Sequence, residues 1–458
     1  MPSAAREELR RLLRLAVPAA GAQVANMMMG VVDTLMVGRF STEALAAAAL
    51  ANAWLWSWIM IGHGLVLGMD PIVSQAHGAR DGALAGRTLQ RGLVLAVLLS
   101  VPVGVLWALT DVALVALGQD PSLVHEAWRY AAVQIPSLPF LFGFFALRSY
   151  LQAREIVRPA LFVALAANLV NALLNWLLIF GPGGLPALGL AGAGIATALA
   201  RAAQLGLLAA LVWRARLHEG AWVPWSRDAL RLAGLRPLLG YGLPVSVQLG
   251  LEVGGFSAAT LLAGRLGATA LAAHTIVLNL ASLSFMLPLG VAQGAVTRVG
   301  NELGAGAPAR ADRAAWVAIG LGAGVMAVAA VLFVALRHVL PRLYTGDPDA
   351  IAAAAAILPV AAFFQVFDGT QVVACGVLRG MGRTRPAALI NLVGYWAFAL
   401  PLAWALGLHT PLGLAGVWWG LAAGLAVVAC ALLAWIARRG PARAPGVRAG
   451  AAAAGEIR

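Results

Sequence analysis

No lysine occurs in this chain. Its 32 basic side chains are all arginine, and only 11% of the residues carry a charge. A soluble domain averages about 25% charged residues, so the shortage excludes an ordinary water-facing fold. Only two cysteines are present, Cys375 and Cys430, both in apolar runs. They set up neither a disulfide framework nor a metal site. His63, His77 and His274 lack metal-ligand spacing and are expected to be structural. No Walker A motif, nucleotide-binding domain or redox motif is visible, so work driven by ATP hydrolysis is not expected. Catalytic polar residues do not cluster at any interface, so the chain is not expected to be an enzyme or to need a cofactor.

Apolar sequence is what the chain has in quantity: 61% of residues are hydrophobic and the mean hydropathy is +0.85. Runs of about 20 apolar residues, enough to cross a bilayer, follow one another. Reading between Arg, Gly and Pro clusters gives spans near 12–37, 44–72, 89–111, 128–151, 159–180 and 188–213, then 238–263, 270–296, 313–336, 351–378, 386–407 and 413–437. The basic start MPSAAREELRRLLRLAVPAAGA imitates a signal peptide, but its apolar run continues past any small-residue cleavage site, so it reads as the first span. The fold class is therefore an all-α polytopic membrane protein with 12 transmembrane helices.

A net charge of +13 would suit a nucleic-acid partner. The arginines, however, sit in short loops, mostly on the side that holds both termini. Few lie opposite: Arg39, Arg129, Arg265, Arg337 and Arg342. This asymmetry orients both termini to the cytoplasm, with the bilayer and not nucleic acid as partner. Arg201 is the exception. It lies well inside the sixth span, where an arginine faces the protein interior or water.

The chain repeats itself at an offset of 226 residues. Pro18 pairs with Pro244, Thr34-Leu35 with Thr260-Leu261, and Gly38-Arg39 with Gly264-Arg265. Gly64, Gly68 and Gly78 pair with Gly290, Gly294 and Gly304. So many matches at one offset indicate a duplication. Each copy holds six spans, an even number, so both enter the membrane the same way and form two pseudo-twofold-related six-helix lobes. The expected organisation is a cytoplasmic N-terminus over 1–11, an N-lobe over 12–213 and a cytoplasmic inter-lobe linker over 214–237. A C-lobe over 238–437 and a disordered cytoplasmic tail over 438–458 follow.

Three carboxylates fall inside spans, Asp33, Glu252 and Asp368, and an ionisable group at bilayer depth points to function. A rise of about 1.5 Å per residue puts Asp33 about 8 Å from the outer marker Gly38, and Asn175 about 9 Å from Gly181. Asn168, Asn171 and Asn175 share one helical face. A carboxylate at the depth of an amide stripe suits a hard cation or a proton. Glu252 and Asp368 lie deeper in the second half, with Gln248 one turn from Glu252. Asp33 aligns with Ala259, and Glu252 with Asn26, so the fold repeats while the charge does not. The acids suggest a cleft for a cationic substrate or a driving ion. Nearby Trp54, Trp56, Trp58, Phe285, Phe363, Phe364 and Phe367 could stack on a flat cation, or simply pack the bundle.

Four stretches carry a family likeness: LAVPAAGAQVANMMMGVVDTLMVGRFSTEALAA, VSQAHGARD, AAHTIVLNLASLSFMLPLGVAQGAVTRVGNELGAG and FDGTQVVACGVLRGMGRTRPAALINLVGYW. Over residues 12 to 438 the chain resembles the multidrug and toxic compound extrusion (MATE) family, above all its NorM-type branch. The resemblance implies a MATE / MOP-type fold and a V-shaped antiporter of a bacterial inner membrane. Such an antiporter expels cationic and amphipathic drugs in exchange for Na+ or H+ and works as a monomer. It gives Asp33 the role of first-helix acid, with Asn171 and Asn175 as amide partners. Glu252 and Asp368 become the C-lobe coupling acids and Pro18 a helix bend, while Gln248, Phe285, Phe364 and Phe367 are cleft candidates by their nearness to the acids alone. The only metal implied is a transported Na+. The chain departs from the pattern at Phe364, where some sodium-coupled relatives carry a tyrosine, at Thr275 and at Phe40-Ser41. A lipid-linked precursor flippase of the same superfamily is the alternative. Its pyrophosphate would want a cationic cavity, and the acids here point the other way.

Overall fold

The computed structural model describes residues 3–184 and 186–444, which are mostly helical with no strand among them. Among the described residues, twelve helices are long and apolar enough to cross a membrane. They are α1 (Ala4–Phe40), α2 (Thr42–Gly78), α3 (Gly82–Ala108), α4 (Pro121–Ala153), α5 (Arg158–Phe180) and α6 (Gly189–Arg214), then α7 (Leu232–Arg265), α8 (Ala268–Gly304), α9 (Pro308–Ala335), α10 (Pro348–Gly380), α11 (Thr384–Leu408) and α12 (Leu414–Arg443). Each expected span falls on its own helix, and most helices overrun it at one end or both. Their outward faces are apolar: Leu169 is 75% exposed and Leu261 73%, which a hydrocarbon surround accommodates and water would not. The chain is a multi-pass membrane protein.

Helix ends follow local chemistry. The Ser41 side chain accepts from the Ala44 amide at 3.1 Å and starts α2. Asp81 does the same for α3 through the Leu84 amide at 2.9 Å, each satisfying a backbone donor that the helix leaves free. Gly181, at φ +61°, stops α5 in a conformation that favours glycine. α1 continues through Pro18 as one helix.

Packing divides the chain into two compact units. A C unit comprises Met1–Ala20, Ser74–Arg80 and Val247–Arg458, and an N unit comprises Gly21–Val73 and Asp81–Ser246. The division by chain, 12–213 against 238–437, differs from this one at three short segments. The repeat supplies the reason. Within the N unit, a Cβ on Gly64 would lie 2.5 Å from the Ser246 backbone, and one on Gly68 would lie 2.1 Å from Leu238 O. Within the C unit, a Cβ on Gly290 would lie 2.6 Å from the Ala20 backbone, and Gly294 meets Leu12 and Ala16. These are the same contacts at the 226-residue offset. The start of α7 packs on α2, and the start of α1 packs on α8, through paired glycines that let backbones meet.

An ion network fixes the second of these contacts. Arg298 donates from Nε to Glu8 Oε1 at 2.8 Å and from Nη2 to Glu8 Oε2 at 3.0 Å. The same Nη2 reaches Glu302 Oε1 at 2.6 Å, and Arg310 Nε reaches Glu302 Oε2 at 2.7 Å. Glu8, Arg298 and Glu302 are all buried.

The stretch 214–237, expected as a linker, is tied to the N unit. Gln90 Nε2 donates to Val223 O and Pro224 O, Tyr150 to Ala221 O, and Arg154 to Glu219 O. Of the tail expected to be disordered, 438–444 continue as the end of α12 and a short turn. The rest lies outside the described residues.

Replacing Arg298 by Met should destabilise the protein by about 3–5 kcal/mol, because buried Glu8 loses its partner and buried Glu302 keeps only Arg310. Thermal melting of the purified variant checks this. A melting temperature within a degree of the parent would refute the assignment of the network as structural.

Candidate functional site

The N unit gathers its acid and amides at one point. Asn175 Nδ2 donates to Asp33 Oδ1 at 2.5 Å and to Asn171 Oδ1 at 3.2 Å. Thr197 Oγ1, on α6, donates to Asp33 Oδ2 at 3.2 Å. Asn171 and Asn175 are both 0% exposed. Asn175 Nδ2 already serves two acceptors, which leaves Asn175 Oδ1 buried without a hydrogen-bond partner among the described residues. The carboxylate, two amide oxygens and the hydroxyl together form a hard-oxygen cluster.

The depth count therefore brings Asp33, Asn171 and Asn175 together as expected. Asn168 is used differently. Its Nδ2 donates to Ala25 O at 2.8 Å, tying α5 to α1. Thr197 escapes a reading of α6 alone, since a threonine in an apolar helix bonds its own backbone equally well, as this one does to Ala193 O. It lies one turn before Arg201, the outlying charge of that helix, and that spacing is the signal that could have found it. Arg201 donates to Ser137 Oγ at 3.0 Å and lies over the Trp107 ring, 5.7 Å from its centroid. Asp33 and Tyr130 lie within its electrostatic reach. A fixed cation thus stands near the Asp33 cluster.

The C unit holds a second acidic cluster. Asp368 is 4% exposed and lies within electrostatic reach of Glu252. Glu252 faces Gln371 and Tyr395. Gln371 Nε2 donates to Asn391 Oδ1 at 2.8 Å, and Asn391 Nδ2 approaches Cys375 Sγ at 3.5 Å. Gln248, one turn before Glu252, is buried and faces Cys375. Sequence reasoning named Gln248 and the two acids but missed Gln371, Tyr395 and Asn391.

The aromatic candidates separate by burial. Phe364 is 1% exposed, packed edge-on to Phe256 at 6.1 Å and Trp418 at 5.8 Å, so its ring is occupied by the core. Phe367 is half-buried against Phe363 at 5.0 Å, and Phe285 is half-buried beside a core cluster. Among the described residues no three His, Cys, Asp or Glu side chains gather as metal ligands. His274 is fully buried and bonds Thr260 at 3.1 Å.

Comparison with known proteins adds the family. The family model described as MatE matches residues 18–177 and again residues 244–405. The two matches begin at the repeat-equivalent Pro18 and Pro244. A probable multidrug resistance protein NorM from Mesorhizobium japonicum is 37% identical, over 94% of this chain and 94% of its own length. The multidrug resistance protein NorM of Burkholderia vietnamiensis is 38% identical, over 92% of each. The crystal structure of the eukaryotic MATE transporter AtDTX14 is similar in fold, with a TM-score of 0.88 at 23% identity over 96% of this chain and 98% of that one.

The oxygen set around Asp33 predicts a cation response. Melting temperature, followed across a Na+ series at constant ionic strength and across a pH series, should rise with whichever cation the cluster takes. In Asn175→Leu that rise should shrink. A response identical to the parent's would remove Asn175 from the cluster's chemistry.

Proposed function

The chain belongs to the MatE family, and from that premise we propose that it is a secondary active multidrug efflux antiporter. It exports cationic and amphipathic organic compounds in exchange for Na+ or H+, by alternating access of its two lobes. The observation that carries the reading is the Asp33 cluster, a carboxylate in an apolar span whose hydrogen-bond donors are a neutral amide and a neutral hydroxyl. A charge at that depth costs several kcal/mol unless an ion or proton answers it, and Asn175 Oδ1 stands beside it without a partner. Arg201 does not supply that answer directly, since its guanidinium donates to Ser137. The names of the NorM relatives support drug export.

Asp33, Asn171 and Asn175 serve as the N-lobe coupling site, and Glu252 and Asp368 as the C-lobe coupling site. Gln248, Phe285 and Phe367 contribute to substrate contact, with Phe364 acting behind them as packing. Pro18 marks where α1 bends during the cycle, because a helix-interior proline removes one backbone hydrogen bond. The protein works as a monomer in the inner membrane with both termini cytoplasmic, the orientation the arginine distribution supports.

Expressed in a strain stripped of its main efflux pumps, the protein should lower ethidium accumulation. Asp33→Asn, Glu252→Gln and Asp368→Asn should each raise it again at unchanged membrane expression. Undiminished efflux in the triple variant would sink the antiport mechanism.

A further inference from the structure

Two arginines on α3 stand where the helix gains nothing from them. Arg87 and Arg91 are one turn apart, and like charges at that spacing destabilise a helix. Arg91 lies nine residues beyond Gly82, where α3 begins, or about 14 Å along the helix, and it is half-buried. The arginine excess that orients a membrane protein needs only loop positions, so topology does not account for it. Arg87 lies within electrostatic reach of Arg91, and so does one carboxylate, Asp228. Asp228 is already paired with Arg231, Nη1 to Oδ1 at 3.1 Å. Three guanidiniums thus share one carboxylate. Among the described residues neither Arg87 nor Arg91 has an ion-pair partner of its own.

The surrounding structure is built to hold this arrangement. A Cβ on Gly234, at the start of α7, would lie 2.6 Å from Arg91 Nε, so the guanidinium rests against bare helix backbone. The stretch that carries Asp228 and Arg231 is anchored. Gln90, beside Arg91 in the chain, donates to Val223 O at 2.8 Å and Pro224 O at 3.0 Å, and Trp222 meets Trp213 edge-on at 5.0 Å. Yet this anchored stretch turns large apolar side chains outward. Trp225 is 56% exposed, Leu230 68% and Leu232 64%. Exposed apolar side chains interleaved with arginines suit the boundary between headgroups and acyl chains, where tryptophan is also enriched.

We propose that Arg87, Arg91 and Arg231 form a binding site for the phosphate of an anionic phospholipid, with Trp225, Leu230 and Leu232 seated among its acyl chains. The lipid belongs to the leaflet on the arginine-rich side of the membrane. A guanidinium meets a phosphate through two parallel N–H···O bonds, and the phosphodiester supplies the negative charge that Asp228 alone does not. A zwitterionic headgroup brings a cation of its own, which the arginines repel, so the site selects a net negative headgroup. The apolar rim separates a lipid from a free phosphate, since only a phosphate carrying acyl chains covers Trp225, Leu230 and Leu232. All six residues belong to the N unit. The inference is independent of the antiport reading and requires only that the chain lies in a bilayer.

The test follows lipid binding by the purified full chain in detergent micelles. Native mass spectrometry counts bound phosphatidylglycerol along a titration, with phosphatidylethanolamine and inorganic phosphate as parallel arms. Phosphatidylglycerol should bind the parent at a lower midpoint than phosphatidylethanolamine, and inorganic phosphate should not displace it. Arg91→Gln and Arg87→Gln should each raise the phosphatidylglycerol midpoint by about tenfold, the loss expected for a hydrogen bond to a charged group. Arg216→Gln removes an equal charge from an exposed position of the same stretch and should leave that midpoint unmoved. Melting in lipid-free detergent shows which variants are folded. Arg87 is exposed, so its variant carries the test even where Arg91→Gln melts early. Equal midpoints for the two lipids in the parent, an unmoved midpoint in folded Arg87→Gln, or an equal shift in Arg216→Gln would overturn the site. Displacement of phosphatidylglycerol by inorganic phosphate would overturn a lipid as its occupant.

Discussion

A hydrocarbon interior supplies no hydrogen bonds, so each polar group placed there must be answered by the chain or by something the chain carries. The structure can be sorted by who answers. Asn168 answers a backbone carbonyl of α1. Arg298 answers Glu8 and Glu302. These groups hold the architecture. The side-chain oxygens of Asn175 and Gln371 are buried without a hydrogen-bond partner among the described residues, and each accompanies an intramembrane acid.

The duplication shows the same split. Glycines recur at the repeat offset because backbone contact between helices tolerates no side chain, and Gly64 and Gly290 meet equivalent partners. The acids do not recur. Asn26, the counterpart of Glu252, pairs with Gln204 at 3.3 Å and is a neutral bond between helices. One backbone plan therefore serves two chemically distinct halves.

Much of this was legible in the sequence. Twelve spans follow from hydropathy, because the bilayer imposes length and polarity together. The meeting of Asp33 with Asn175 follows from counting residues along two helices to a common depth. The exchange of first-helix starts was not legible, since a repeat reveals equivalence and not contact. Glu8 reads as part of a solvated terminus, and only the fold brings Arg298 to it. Tyr395 sits in an apolar run, and nothing in a 3.6-residue period announces the π turn it occupies, Val393–Ala399. Thr197 and Gln371 are polar residues of the sort that usually bond their own helix or a neighbour.

The Glu8–Arg298 contact joins residues 290 positions apart. A chain growing at about 5–20 residues per second makes Glu8 wait tens of seconds for its arginine. Over that interval the beginning of α1 has neither its counter-charge nor the glycine face of α8. The helix that enters the membrane first is among the last to find its place. An interrupted translation product would carry that undocked end, with Glu8 lacking its arginine, giving membrane quality control a physical mark by which to tell an unfinished chain from a complete one.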